Sequence, residues 1–468
     1  MSFLGRAKEI QILSELYTRK EAALITIYGR RRIGKSTLVE KFYQDKPHWH
    51  FEGLEDLSLQ DQINSFLRDL SRHTNNSLHS KLRLSSWSEV FDYTTPILKG
   101  QKRKLVIFID EYQWLASNQS KMTSLIKKYW DQFWKKENIL LILCGSVASY
   151  MLKNVIRSKA LYGRIDAEIN LGPLEPQETI SFLKGKRSLC EILDYNLVLG
   201  GVPKYWEEIN YNQSFEQNIS RLFLQPTGFL FQDYKKIFYS QYRKHLVYEK
   251  ILTFLQQGPK TLEEISSKLH KNSGGGIKFY LENLVAAQFI DVWTPFDKNL
   301  ISKLKKYKIS DEYLGFYLKY IKPNQKLIQM GQYQNLFERL IKPSWNVWRG
   351  IAFESFCLKN AAFLAKIMGF ADKVLGFGPV FKRGQSGFQI DLLFKRSDKT
   401  ITMCEMKYHQ HPIDGLVIAE TEKKLKNFKI NRGYTLEKAL IAPNGVDTSV
   451  KKSDYFHHII EMEQFFLT

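Results

Sequence analysis

Apolar and polar residues alternate in three textures along this chain, and each predicts a different kind of element. The first is the short, unbroken apolar run. Residues 23–28, 104–109 and 139–144 are rich in β-branched side chains and read as strands buried on both faces of a parallel sheet. Residues 48–54 and 166–171 are weaker strands of the same kind, and helical patterns over 7–17 and 36–42 and through residue 98 lie between them. The second texture begins at Tyr242 and consists of compact amphipathic helices. One spans 245–256, and Thr261-x-x-Glu264 is a capping box opening another that runs to Leu269. Ser273 to Gly276 breaks the chain, 277–289 forms a third helix, and two extended pieces between 291 and 309 flank a Pro295/Asp297 turn. Helices followed by a two-stranded wing is winged-helix order. In the third texture, strands at 390–394 and 401–408 flank a turn at 395–399, which predicts an adjacent antiparallel pair.

The chemistry concentrates where the first apolar run ends. Gly29-Arg30-Arg31-Arg32-Ile33-Gly34-Lys35-Ser36-Thr37 contains G-x-x-x-x-G-K-S between a strand and a helix start. Such a loop aims successive backbone N–H groups and the positive end of a helix at a phosphate. Lys35 would reach the terminal phosphates of ATP, and the Ser36 hydroxyl would hold Mg²⁺. The run 104–109 closes on Asp110-Glu111. Asp110 would bind the metal, and Glu111 would polarise the attacking water. Ser146, at the tip of the 139–144 strand, is placed to sense the γ-phosphate.

Phe3–Arg6, the glycine–lysine loop, Ile-Asp-Glu, Cys-Gly-Ser, Leu-Tyr-Gly-Arg164 and Gly-Gly-Val-Pro203 occur in that order. This series resembles the archaeal-type ATPases of the AAA+/STAND group over residues 1 to about 235. The resemblance implies an ASCE-type parallel sheet with a small helical lid, and it places Pro203 near the nucleotide. It implies that Arg164 acts as a finger on a neighbouring subunit of a homo-oligomer; a salt bridge holding its turn is the other reading.

The third texture holds a second constellation. Residues two apart on a strand share a face, so Glu405 and Lys407 point the same way, and Asp391 meets Glu405 across the ladder. Two carboxylates so placed suit Mg²⁺, and the lysine would orient water or steady charge on a phosphate. Asp391…Glu405-x-Lys407 resembles the PD-(D/E)xK nuclease motif, and Glu354 fits the glutamate that this family's preceding helix often adds. Gln389-Ile390 stands where the usual proline is found. A half-buried hairpin carrying an ordinary Glu–Lys pair is the competing reading. His409 and His411 read as a solvated pair before Pro412.

The expected architecture is α/β and multidomain. It comprises a P-loop core at 1–175, a helical lid at 176–235, a winged-helix module at 236–330 and a restriction-endonuclease-like α/β domain at 340–468. Lys plus Arg exceeds Asp plus Glu by 69 − 48 = 21, which favours a polyanion partner, with duplex DNA first. Lysines 298, 303, 305, 306 and 308 put part of that charge on the wing. The first ten residues lack the apolar core of a signal peptide, and no apolar run approaches a membrane span. Four cysteines are scattered without C-x-x-C spacing, so neither a zinc site nor a disulfide framework is expected. A cytoplasmic protein without membrane contact follows. Two functions fit: an ATPase coupled to a DNA-acting, Mg²⁺-dependent nuclease-like domain, or a nucleotide-driven assembly switch whose C-terminal domain binds DNA or protein without cutting.

Overall fold

The apolar runs of the N-terminal third become β1 (Ala23–Tyr28), β2 (His48–Glu52), β3 (Leu105–Asp110), β4 (Ile139–Gly145) and β5 (Ala167–Asn170). They form one parallel sheet in the order β2-β3-β4-β1-β5. Every residue of β1, β3 and β4 is buried, as continuous apolar strands covered on both faces require. The order matters for chemistry. β4 lies between the strand that leads into the phosphate loop and the strand that ends in the acidic pair, so its tip sits between the two motifs. Crossovers run through helices such as Lys35–Tyr43 and Leu59–Thr74; the latter has its first turn capped by the Ser58 hydroxyl.

This computed structural model describes residues 4–117, 121–241, 245–270, 275–293, 305–331, 334–382, 387–428, 430 and 432–466. The chain divides into two compact units, Met1–Pro173 and Leu174–Thr468. The first unit ends at Pro173. Residues 176–235, expected as a lid, fall in the second unit together with everything that follows. Among the described residues no helix is long and apolar enough to cross a membrane.

Within the second unit, helix His245–Leu255 leads to β6 (Lys260–Thr261), helix Leu262–Lys268 and helix Gly275–Ala286. β7 (Ile290–Trp293) and β8 (Lys306–Ile309) follow, and the three strands pair antiparallel in the order β6-β8-β7. Both halves of the predicted capping box are made: Thr261 accepts from the Glu264 N–H, and Glu264 accepts from the Thr261 N–H. The third helix differs from expectation. It includes Gly275 and Gly276 and stops at Ala286, because Gln288 adopts a left-handed φ of 58° and the Phe289 N–H turns back to Leu284 O. The expected Pro295/Asp297 turn, with Lys298 and Lys303, lies outside the described residues.

A second sheet joins β9 (Val374–Lys382), β10 (Phe388–Arg396), β11 (Thr400–Met406), β12 (Thr435–Ile441) and β13 (His458–Ile460) in the order β13-β12-β11-β10-β9. β9, β10 and β11 are antiparallel neighbours, as the hairpin reading requires, whereas β11, β12 and β13 run parallel. Helix Leu416–Asn427 makes the crossover from β11 to β12, and helix Trp345–Lys359 contacts β10 and β11.

Candidate functional site

In the first unit the loop leaves β1 at Gly29, where an added Cβ would collide with the Leu171 carbonyl, so the chain can pass only with glycine. Arg32 and Gly34 both have positive φ, 70° and 87°, and curl the loop into the N-terminus of helix Lys35–Tyr43. Ile33 is buried to 1% and anchors the curl, while Thr37 is exposed on the first helical turn. Arg31 reaches outward to Glu55 at 3.3 Å, and Arg30 is buried. Lys35 is also buried, and its ammonium donates to the Arg30 carbonyl at 3.1 Å, which keeps the charge inside the cradle. Arg6 braces the loop from behind, donating to Ile33 O at 3.1 Å and Gly172 O at 2.7 Å. The sequence marks Arg6 only as part of a recurring string; its role needs the fold.

Opposite the loop, the Ser36 hydroxyl donates directly to Asp110 Oδ2, and the Glu111 N–H donates to Asp110 Oδ1 at 2.8 Å. The two groups expected to share a metal are thus in contact. Glu111 sits at a φ of 46°, in the left-handed region that non-glycine residues rarely adopt. Its carboxylate accepts from the Ser146 hydroxyl at 2.7 Å and from the Gln113 amide, and Gln113 also donates to Ser146 at 3.2 Å. Gln113 is 2% exposed and belongs to no motif, so sequence reading missed it. Burial, then the Asp110 and Glu111 charges, raise the carboxyl of Glu52, which lies beside Asp110 in register. Burial likewise drives the Cys144 thiol well up, with Asp110 adding to the effect. Arg164 is given to Asp131: Nε and Nη2 each lie 2.8 Å from its carboxylate, and Lys127 adds a third contact at 3.1 Å. That pairing holds Asp131 down at about 2. The salt bridge of the turn-holding reading is thus made. Pro203 opens helix Pro203–Glu207 in the second unit.

In the second unit Leu392 faces Cys404, a register that carries Asp391 opposite Glu405. Both are buried, to 6% and 1% exposure. Glu354, on helix Trp345–Lys359, joins them electrostatically. Burial, then the Asp391 charge, pushes its carboxyl up to about 7, with Lys308 and Lys424 opposing and Glu405 adding. Asp391 is raised by burial and by Glu405, with Lys424 opposing. Glu354 and Asp391, each raised by burial and by neighbouring carboxylate charge, stand with buried Glu405 as a donor set of the kind a divalent cation relieves. Yet among the described residues no three His, Cys, Asp or Glu side chains converge as a ready metal cage. Lys424, from helix Leu416–Asn427, explains part of this: its ammonium lies 2.7 and 2.6 Å from the two oxygens of Glu405. Lys407 lies 3.3 Å from Glu405 but 2.8 Å from Glu420. Burial opposes the charge on Lys407, and the two carboxylates together still raise it.

Lys308 departs from expectation. Instead of displaying charge on a wing, it donates to Ser355 at 2.7 Å, and burial lowers its ammonium. Behind the site, Tyr408 donates to Asp194 at 3.1 Å, and the Arg349 guanidinium stacks 4.4 Å over the tyrosine ring and lies 3.6 Å from Asp194. Helix Leu189–Leu199, from the expected lid, is thereby pinned to the end of β11.

Residues 3–209 match the family described as an ATPase domain predominantly from Archaea, and residues 317–425 match one described as archaeal and bacterial proteins of unknown function. The N-terminal part of the chain is therefore similar to an archaeal-type ATPase domain, and the chain is an ATP-binding ATPase. An uncharacterized protein of Methanocaldococcus jannaschii, MJECL04, is 28% identical over 410 residues, covering 87% of each chain. An uncharacterized ATP-binding protein of the same organism, MJ0423, is 41% identical over 44 residues, 9% of this chain and 75% of that one. Among solved structures, the Walker-type ATPase PABY2304 of Pyrococcus abyssi superposes with a TM-score of 0.51 at 19% identity, covering 68% of this chain and 96% of its own. That likeness is one of fold.

Proposed function

We propose that this protein is an AAA+/STAND-type ATPase whose nucleotide state governs a Mg²⁺-dependent, nuclease-like domain acting on duplex DNA. The observation that carries the reading is the pairing of two acidic sites in one chain. One is Asp110–Glu111, opposed to the phosphate loop, and the other is Asp391 and Glu405 on a mixed sheet, with Glu354 from the helix packed against it. At the first, Ser36 and Asp110 would hold Mg²⁺, Lys35 would leave the Arg30 carbonyl for the phosphates, and Glu111 would orient water, with Ser146 and Gln113 fixing its carboxylate. At the second, Asp391 and Glu405, with Glu354, would hold the ion. Bound there, Mg²⁺ supplies Lewis acidity at a phosphate. Lys407 would steady the phosphate charge.

Helix order, the three-stranded β6-β8-β7 sheet and the capping box support a winged-helix module. The β9–β11 antiparallel run followed by a helical crossover to parallel β12 supports the restriction-endonuclease-like reading. The net charge of +21 supports a nucleic-acid partner. Arg164 could serve a neighbouring subunit only after leaving Asp131.

One observation favours a second reading, the assembly switch that binds without cutting: both oxygens of Glu405 are already engaged by Lys424. ATP turnover with and without duplex DNA, followed by phosphate release and by DNA integrity, separates the two. The first reading expects DNA to change the rate and divalent-dependent nicks that Asp391→Asn abolishes. An unchanged rate with intact DNA would select the switch.

A further inference from the structure

Four charges form a chain of ion pairs at the C-terminal site. On β11 and just beyond it stand Glu405 and Lys407; one turn apart on helix Leu416–Asn427 stand Glu420 and Lys424. Lys407 bridges Glu405 at 3.3 Å and Glu420 at 2.8 Å, and Lys424 grips both oxygens of Glu405. The chain of pairs is neutral, two carboxylates against two ammoniums. Its members differ in reach. Glu405 is 1% exposed and fixed in a strand, whereas Lys424, Lys407 and Glu420 keep 23%, 24% and 55% side-chain exposure; of the two lysines on Glu405, Lys424 is the one that holds both oxygens from a separate helix and can swing away.

We propose that Lys424 is a latch on this carboxylate site: a tethered cation seated where a divalent ion would sit, released when a phosphate group draws it off Glu405. The idea rests on the metal-site reading above and adds how that site is controlled. A carboxylate whose two oxygens hold one ammonium cannot offer them to a metal at full strength, so the metal must compete with Lys424. A phosphate oxygen is a good alternative partner for the freed ammonium. Duplex DNA and the ion should then favour each other's binding, with a coupling carried by this lysine.

The test uses the nucleotide-free full chain and Mn²⁺ titrations by calorimetry, with Asp391→Asn defining which heat belongs to this site. Lys424→Met should bind Mn²⁺ at least about fivefold more tightly than the parent, within the range typical of such couplings, and Lys424→Arg should restore weak binding. In a second arm, Ca²⁺ replaces Mn²⁺ and a short duplex is the probe. The parent should bind duplex more tightly with Ca²⁺ present, and Lys424→Met should lose that gain. Circular dichroism confirms that each variant is folded. Mn²⁺ affinity that is unchanged or weaker in Lys424→Met, or a Ca²⁺–duplex coupling that survives it, overturns the latch while leaving the metal site standing. If neither the parent nor Lys424→Met shows heat that depends on Asp391, the latch and the metal-site reading fall together. Asp391-dependent binding that appears only in Lys424→Met supports the latch in its strongest form.

Discussion

The chain carries two acidic sites, and they are held together by opposite means. Around Asp110 and Glu111 the hydrogen-bond donors are neutral: hydroxyls of Ser36 and Ser146, the amide of Gln113, a backbone N–H. Around Glu405 the compensation comes from ammonium groups, Lys424 foremost, while Asp391 accepts from the Met406 N–H and the Gln389 amide and feels Lys424 through its charge. Neutral donors orient a carboxylate without cancelling its charge, so a cation arriving there meets little competition. Charged donors satisfy a carboxylate more fully and must be displaced. The first arrangement suits a site that binds Mg²⁺ with every nucleotide; the second suits one that stays closed until something removes its counter-charge.

The contrast can be broken at either end. Glu111→Gln should cut ATP hydrolysis by at least about a hundredfold, the lower bound for losing a positioned general base, while equilibrium binding of ATP persists. Parental turnover in that variant would remove Glu111 from the mechanism. Lys35→Ala should weaken ATP binding by roughly ten- to a hundredfold, through loss of charge-assisted hydrogen bonds to phosphate, as equilibrium dialysis would read. Arg349→Met tests the charge-paired second unit. It strands Asp194 and strips the cover from Tyr408. Because Arg349 and Asp194 keep 9% and 16% side-chain exposure, the expected cost is about 2 kcal/mol, below the range for a fully buried pair. Denaturant unfolding would show it, with ATP affinity unaltered.

The smallest effect concerns pH. Burial, opposed by Arg349 and Tyr408 and assisted by Glu191, lifts the Asp194 carboxyl to about 6, and Cys190 also faces it. A carboxyl raised in the folded state binds protons more readily there than in the unfolded chain. Its contribution is complete below the ordinary carboxylate range and fades as pH rises through 6. Asp194→Asn should therefore flatten the fall in stability between about pH 4 and 6; an unaltered slope would assign that fall elsewhere.

Contiguity decided what the sequence could reveal. The phosphate loop, the Asp110–Glu111 strand end and the Thr261/Glu264 box are local patterns whose geometry follows from backbone periodicity. The β10–β11 register was legible for the same reason, since a short turn leaves little choice of pairing. Residues brought in by tertiary packing were not. Gln113 has no motif around it. Lys424 lies 19 residues beyond Glu405, on a helix whose docking face cannot be read from its own sequence. Lys308 looked like wing charge because alternation says nothing about what packs against a strand. Gly275 and Gly276 suggested a break, yet the helix takes them in as its first residues, its face fixed by Ile277 and Leu281, both fully buried. Propensity yielded to packing there.

The junction of Asp194, Arg349 and Tyr408 bears on how this protein could be dissected or recombined. Tyr408 follows Lys407 directly, so the chain leaving β11 past Glu405 meets a residue from helix Leu189–Leu199. A fragment cut at 340 would retain the whole β9–β13 sheet and still leave a guanidinium and a phenol facing water where their carboxylate had been. The natural graft is Leu174–Thr468, taken whole. A chimera that exchanged the C-terminal sheet alone would have to bring its own aspartate to this junction.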